Sequence, residues 1–161
     1  MSEKTREIRV LLHNIRSSHN VGSIFRTSDG VGVTRVYLSG YSPKPVDRFK
    51  RPNKEIAKTA LGAECAIEWE YIDSFEETIT SLKAEGFAVI GLEQDARSQD
   101  YRTPLAETKV LFVVGSEVEG MSEELRSYCD TLVEIPMRGI KESLNVAVAF
   151  GVAAFRLFGE G

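Results

Sequence analysis

The chain has 161 residues, 42% hydrophobic and 27% charged, which is typical of one globular domain with a substantial core. Cys65 and Cys129 have no C-x-x-C spacing, and both histidines lie far from them, which argues against a disulfide framework or a zinc site. No apolar signal-peptide segment follows Met1, so we expect a reducing, cytoplasmic setting. The apolar run 144–158 is too short and too polar for a membrane span.

The net charge of −4 conceals an uneven distribution. Residues 1–58 carry 12 Lys and Arg against 5 Asp and Glu, whereas residues 59–161 carry 8 against 19. The basic residues are concentrated in the segment 44–58, which includes Arg48, Lys50, Arg51 and Lys54. A basic patch on an acidic protein indicates a polyanion bound at one place, although a solvated loop without a partner has the same composition.

The first half of the chain alternates apolar strand patterns with helical ones. A buried strand is predicted over 8–13, followed by a polar, turn-rich loop over 14–22 and a helix that Ser18 or Asn20 caps. Gly30 and Gly32 end that helix, and a second strand spans 35–39. The loop 41–53 contains three prolines and most of the basic cluster. A short helix over 54–61 and a strand over 66–71 follow.

The second half continues the alternation. The pattern predicts a helix from the cap Ser74 to residue 85, a strand over 87–92, a polar loop to residue 103 and a strand over 109–114. Ser122 caps a helix that reaches residue 129, and a strand over 131–135 stops at a proline. The last helix, 144–158, is apolar nearly all round, which predicts a buried helix, with Ser143 as its N-cap. Alternating strands and helices indicate an α/β domain on a mainly parallel sheet flanked by helices.

Three loops leave strand ends with unusual composition, namely 14–22, 115–120 and 136–143. Ligands of such sheets bind outside the carboxyl ends of the strands. The sequence contains neither G-x-G-x-x-G nor G-x-x-x-x-G-K-[ST], which argues against a dinucleotide-binding Rossmann domain or a P-loop. Glycine at a strand end lets backbone approach a ligand closely, which suits a small molecule such as an adenosine.

These three loops, in this order, resemble the three motifs of the SpoU (TrmH-like) branch of the SPOUT RNA methyltransferases. The matching segments are residues 14–27 (Asn-Ile-Arg-Ser-Ser-His-Asn-Val-Gly-Ser-Ile-Phe-Arg-Thr), 112–121 (Phe-Val-Val-Gly-Ser-Glu-Val-Glu-Gly-Met) and 135–149 (Ile-Pro-Met-Arg-Gly-Ile-Lys-Glu-Ser-Leu-Asn-Val-Ala-Val-Ala). The resemblance implies a homodimer that transfers a methyl group from S-adenosylmethionine to a ribose 2′-hydroxyl in tRNA or rRNA, without a metal. It also implies the SPOUT α/β fold with a trefoil knot in the last third of the chain. We expect a single catalytic domain over 1–161 with no separate RNA-binding domain, and neither DNA nor a membrane as partner.

The resemblance also assigns residues to the site. The reacting centre would contain Asn20, Arg26, Glu117, Ser143 and Asn145. The adenosyl pocket would be lined by Gly115, Ile135, Met137, Leu144 and, at the end of a strand beside the pocket, Leu92. The basic residues Arg48, Lys50, Arg51 and Lys54 would contact RNA. His13 and His19 match no residue that the family needs.

Arg26 is expected to stabilise charge rather than to remove a proton. A guanidinium keeps its proton to above about pH 12, so it is poorly suited to be a general base. It can stabilise the developing alkoxide while the proton passes to phosphate or water. We expect Asn20 to organise the loop that presents Arg26, although on an ideal helix the two meet only if Asn20 precedes the helix. Glu117 is expected to hold Arg26 or Asn20.

Two other readings stay open. A family member that kept the fold and lost the chemistry would bind RNA only, and a Rossmann-type oxidoreductase would bind NAD. Small residues in the last helix favour close approach of another helix, so we expect part of it, with the first-motif helix, to form a two-fold interface. Phe155 and Phe158 fit either that interface or the core.

Overall fold

The computed structural model describes residues 5–159 as an alternation of parallel strands and helices. In chain order, the elements are β1 (Glu7–His13), α1 (Ser18–Val31), β2 (Arg35–Ser39), α2 (Lys54–Ala60), α3 (Ala63–Ala66), β3 (Glu68–Tyr71), α4 (Phe75–Ala84), β4 (Ala88–Leu92), β5 (Gln99–Asp100), β6 (Lys109–Val114), α5 (Glu123–Ser127), β7 (Thr131–Glu134) and α6 (Val146–Phe158).

The seven strands form one sheet in the order β3-β2-β1-β6-β4-β7-β5, and every strand pair in it is parallel. This confirms the α/β class and the mainly parallel sheet. The register aligns the ends of four central strands. Leu12 of β1 is opposite Val114 of β6, Val114 is opposite Leu92 of β4, and Leu92 is opposite Val133 of β7. The loops that follow these four strands therefore leave the sheet side by side.

Helices cover both faces of the sheet because side chains along each strand alternate between two buried layers. Val110 and Phe112 of β6 join the layer beneath α1, α2 and α6, whereas Leu111 and Val113 join the layer beneath α4 and α5. Strands buried on both faces read as continuous apolar runs, as β6 does. The trefoil knot stays a prediction.

Several predicted boundaries are wrong in detail. Helix α1 is capped by Ser17, whose hydroxyl accepts the backbone N–H of Asn20, so Ser18 and Asn20 already lie inside the helix. Helix α6 is capped by Asn145, not Ser143, because the Asn145 side chain accepts the backbone N–H groups of Ala147 and Val148. The short elements α3 and β5 were not predicted. They are too short for a periodic pattern and depend on the neighbouring chain.

Within a single copy, the predicted burial of the last helix holds for one side of it only. One side of α6 packs into the core through Phe150, Ala153 and Phe158, among others. The other side leaves Val148, Val152 and Phe155 52%, 40% and 51% exposed. Hydrophobicity all round indicates burial only if every face has a neighbour, and one face of α6 has none within the described residues. In residues 5–159, none of the helices combines the length and hydropathy that crossing a membrane requires.

The contact between α1 and α2 generates a first prediction. A Cβ on Gly22 would lie 2.0 Å from Oγ1 of Thr59 and 2.4 Å from the carbonyl oxygen of Ile56, so the two helices would have to separate. We expect Gly22→Ala to lower the free energy of unfolding in urea by about 1–3 kcal/mol through overpacking. Gly139→Ala is the control, because nothing lies within 4 Å of a Cβ there. Equal stability of the two variants would contradict the close approach.

Candidate active site

A cleft of about 530 Å³ opens at the carboxyl edge of the sheet, where the loops after β4, β6 and β7 meet. Its volume is within the usual range for small-molecule sites. The lining contains all five residues assigned to the adenosyl pocket, namely Leu92, Gly115, Ile135, Met137 and Leu144. It also contains four of the five residues assigned to the reacting centre, namely Asn20, Glu117, Ser143 and Asn145.

Asn20 connects the three motif loops. Its Nδ2 donates to Oε2 of Glu117 at 3.2 Å, and its Oδ1 accepts from Nδ2 of Asn145 at 3.3 Å. Glu117 also accepts the backbone N–H groups of Arg16 at 2.7 Å and Ser17 at 3.2 Å. The carboxylate thus lies against the start of α1, where the helix dipole favours negative charge. These contacts fix the first two loops relative to each other and link both to the start of α6.

Tight backbone packing shapes the second loop. Glu93, directly after β4, accepts the backbone N–H of Met121 at 2.7 Å. Gly120 has φ +69°, and a Cβ on it would lie 2.5 Å from Oε2 of Glu93. At the other end, a Cβ on Gly115 would lie 2.6 Å from Cγ of Met121. The two glycines therefore serve the close packing of the loop against its neighbours as well as the cleft.

The third loop leaves its polar groups open to the cleft. Ser143 is exposed and makes no side-chain hydrogen bond within residues 5–159. Asn145 uses its Oδ1 to cap α6 and its Nδ2 to reach Asn20. The hydroxyl of Ser143 is thus available to a ligand.

The cleft is acidic. Four carboxylates line it, from Glu93, Glu117, Glu119 and Glu134, and its lining includes no Lys, Arg or His of the described residues. Such a site favours a cationic ligand and disfavours an anionic one such as a pyrophosphate.

Arg26 does not line this cleft. It is exposed on α1 and makes no hydrogen bond or ion pair within the described part of the chain. Because Asn20 lies inside the helix, the six-residue separation places Arg26 about 120° around the axis from it. Glu117 binds Asn20 and makes no contact with Arg26. The condition under which Asn20 and Arg26 meet, that Asn20 lies in the loop before the helix, is therefore not met within one copy of the chain.

Comparison with known proteins identifies the family. The model of the "SpoU rRNA Methylase family" matches residues 7–155. The 23S rRNA (guanosine-2'-O-)-methyltransferase RlmB of Ralstonia nicotianae is 37% identical over 150 residues, which cover 91% of this chain and 56% of the relative. The chain belongs to the SpoU rRNA methylase family.

Solved structures of this family have the same fold. The crystal structure of an AdoMet-bound rRNA methyltransferase from Sinorhizobium meliloti superposes with a TM-score of 0.83 at 30% identity, covering 93% of this chain and 55% of the other. The A. aeolicus TrmH/SpoU tRNA modifying enzyme gives a TM-score of 0.79 at 28% identity, covering 96% of this chain and 75% of the other. The SpoU-family chain spans about half the length of the curated relatives it matches.

In this SpoU-family chain, sequence reasoning gave Glu93 too little weight. The motifs assign Leu92 to the pocket, but the carboxylate of Glu93 directly after it both lines the cleft and holds the second loop. Its position directly after a buried strand was the available signal. Gln94, the next residue after Glu93, lines the cleft as well and was missed.

The histidines lie elsewhere. Nδ1 of His13 is 2.7 Å from Oγ of Ser39, and burial lowers the pKa of His13. His19 contacts Glu55 of α2. Neither lines the cleft. Among the described residues, no group of three or more His, Cys, Asp or Glu side chains is arranged to hold a metal ion.

The basic residues lie outside the cleft. Arg48, Lys50 and Arg51 are exposed in the loop between β2 and α2, and Lys54 is the first residue of α2. The positive charges of this loop are thus separate from the negative charges that line the cleft.

The network around Glu117 generates a second prediction. Glu117→Gln preserves the shape of the side chain but places a neutral amide where a carboxylate receives three N–H groups. Hydrogen bonds to charged groups contribute more than neutral ones, so we expect the free energy of unfolding in urea to fall by about 1–2 kcal/mol. Glu119→Gln is the control in the same loop, because its side chain makes no such bond in residues 5–159. A change of the same size in both variants would contradict the network.

Proposed function

We propose that this chain is an S-adenosylmethionine-dependent methyltransferase that acts on a ribose 2′-hydroxyl in tRNA or rRNA. One observation carries the proposal: Asn20 is hydrogen-bonded to both Glu117 and Asn145, which joins all three motif loops beside one acidic cleft. The names of the relatives, a 23S rRNA (guanosine-2'-O-)-methyltransferase and a TrmH family tRNA/rRNA methyltransferase, support the same reaction.

The lining of the cleft fits S-adenosylmethionine. Leu92, Ile135 and Leu144 offer apolar contacts for an adenine ring, and the backbone of the loop 115–120 offers N–H and C=O groups. The sulfonium and the ammonium of the cofactor are positive, which suits a lining with four carboxylates. The pyrophosphate of NAD would meet those carboxylates without a compensating cation. When bound, the cofactor supplies an electrophilic methyl group.

The polar residues at the mouth of the cleft would orient the ribose. The Ser143 hydroxyl is open to the cleft, and the amides of Asn20 and Asn145 are fixed by each other and by Glu117. As the 2′-hydroxyl loses its proton to phosphate or water, negative charge develops on its oxygen. The acidic lining would oppose that charge, so the reaction needs a cation from outside the cleft.

A homodimer would supply that cation. The apolar stripe of Val148, Val152 and Phe155 on α6 continues onto α1, where Cζ of Phe155 lies 3.4 Å from a Cβ built on Gly30. Burying this stripe against a second copy would remove an exposed apolar face from water. Arg26, exposed on the same helix as Gly30, would then lie at the two-fold interface and reach the cleft of the other copy.

The proposal also covers the domain organisation, the partners and the cellular setting. The described residues would act as one catalytic domain whose basic loop contacts RNA, with neither DNA nor a membrane as partner. Both cysteines are free thiols, which agrees with the cytoplasmic, reducing setting that we propose.

The third prediction tests the reaction. Calorimetry is expected to detect binding of S-adenosylmethionine and not of NAD, and radiolabelled methyl groups are expected to appear on the 2′-oxygen of cellular RNA.

Arg26→Ala is expected to lower turnover roughly 100- to 1,000-fold, the effect of removing one well-placed stabilising group, with cofactor affinity nearly unchanged. Arg26→Lys separates charge from the planar guanidinium fork.

Each result has a distinct meaning. Binding of NAD instead of the cofactor would overturn the proposal. Cofactor and RNA binding without methyl transfer would favour the inactive RNA-binding alternative. If Arg26→Ala retains most activity on saturating RNA, the role of Arg26 is wrong. If Arg26→Lys retains most activity, a simple cation is sufficient to stabilise the developing charge.

The fourth prediction tests whether Arg26 acts across the interface. Ser143→Ala and Arg26→Ala are each expected to be nearly inactive. When the two variants are co-expressed and dimerise at random, half of the dimers are mixed, and each mixed dimer has one intact composite site. About one quarter of wild-type activity should therefore return. No recovery in verified mixed dimers would place Arg26 with the cleft of its own copy, and a monomer in light scattering would contradict the dimer itself.

A further inference from the structure

Three exposed aromatic rings in and beside the basic loop each have a cation over them. The ring of Phe49 has the guanidinium carbons of Arg48 and Arg51 at 4.8 Å and 5.0 Å from its centroid. Nζ of Lys44 lies 4.9 Å from the ring of Tyr71. The guanidinium carbon of Arg16 lies 6.0 Å from the ring of Tyr41. Each of the three rings is thus paired with at least one cation.

A rigid turn presents Phe49 to solvent. Asp47 accepts the backbone N–H groups of Phe49 at 2.8 Å and Arg51 at 2.9 Å, and it forms an ion pair with the Arg51 side chain. Val46 and Pro52 pair as an isolated antiparallel bridge at the base of this turn. Phe49 nevertheless remains 62% exposed, so the fold orders the turn without burying the side chain.

Tyr41 links this surface to the cleft. Its hydroxyl donates to Oγ of Ser116, which lines the cleft, at 3.4 Å, and its backbone N–H donates to Oδ1 of Asn14 at 3.1 Å. The ring is 51% exposed. An extended ligand leaving the cleft mouth would therefore meet Tyr41 first, and the residues that follow it in the chain form the basic loop.

Rings and cations together recognise a particular form of polyanion. Lys and Arg neutralise phosphates whatever the base sequence, whereas an exposed ring adds free energy only if a second flat ring can lie on it. The bases of a duplex are stacked on each other and cannot offer their faces. An unpaired nucleotide offers a phosphate and a free base face at once.

We propose that this surface, the rings of Tyr41 and Phe49 with their neighbouring cations, binds unpaired nucleotides of the RNA by base stacking. The proposal rests on the proposed function and narrows its substrate class to RNA whose target nucleotide lies in a loop or another single-stranded region. A second copy of the chain could also cover an exposed ring. In a two-fold contact, the positive charge around Phe49 would meet the same positive charge on the other copy, which favours a polyanion as the ligand of this surface.

The test separates bases from phosphates. Wild-type protein is titrated with a short unstructured RNA oligonucleotide, with an oligonucleotide of the same length that lacks bases, and with a duplex of the same length. Phe49→Ala is expected to weaken binding of the unstructured RNA roughly 5- to 100-fold and to leave binding of the abasic oligonucleotide and the duplex unchanged. Phe49→Trp is expected to retain wild-type affinity. Arg51→Ala is expected to weaken binding of all three probes and to reduce the salt dependence by about one phosphate contact.

Leu61→Ala is the matched control, because it shortens an equally exposed apolar side chain beyond the far end of α2. If Phe49→Ala weakens binding of the base-containing and the abasic probes equally, Phe49 only holds the arginines in place. That result would overturn the stacking proposal. A change in oligomeric state of Phe49→Ala in light scattering would assign the ring to a protein interface and also overturn it. If wild-type protein methylates RNA while Phe49→Ala binds every probe normally, only the stacking proposal fails. If wild-type protein neither binds nor methylates RNA, the proposed function fails as well.

Discussion

The hydrogen bonds of Glu117 are the constraint on which the site depends. One carboxylate receives two backbone N–H groups at the start of α1 and the side-chain amide of Asn20, which in turn binds Asn145 at the start of α6. Asn20 is 97 residues from Glu117 and 125 residues from Asn145 in the sequence, yet the three share one set of contacts. The parallel register makes this possible, because it aligns the ends of β1, β6, β4 and β7 at one edge of the sheet.

Charge divides the molecule into two regions that match the two ligands of the proposed reaction. The cleft is lined by carboxylates and suits a cationic methyl donor, whereas the loop between β2 and α2 carries the cations that suit a polyanion. The same division explains why the cleft alone is incomplete. An oxygen that gains negative charge among carboxylates needs a cation, and within one copy Arg26 lies outside the lining. In the proposed dimer, the interface supplies what the cleft lacks.

The exposed apolar side of α6 also agrees with the proposed dimer. Val148, Val152 and Phe155 are spaced along one side of the helix, and exposing them is unfavourable in water. Small residues at Gly30 and Gly151 let α1 and α6 approach closely, with a Cβ on Gly151 lying 3.6 Å from Thr27. The two helices thus form one continuous surface, and Phe49 forms a second exposed apolar feature of a different kind, surrounded by cations.

The sequence by itself determined the local elements and the chemistry of the loops. Runs such as 109–114 are typical of strands buried on both faces, and three motifs in order were sufficient for the family and for nine of the residues that line the cleft. Caps were less certain, because Ser17, Ser18, Ser143 and Asn145 can all cap a helix and only the backbone path selects between them. Only the tertiary structure decided that Asn20 joins Glu117 and Asn145, that Arg26 lies about 120° around the helix from Asn20, and that α6 has an uncovered side. Periodicity reports which faces are apolar, but it contains no information about which neighbour, if any, covers each face.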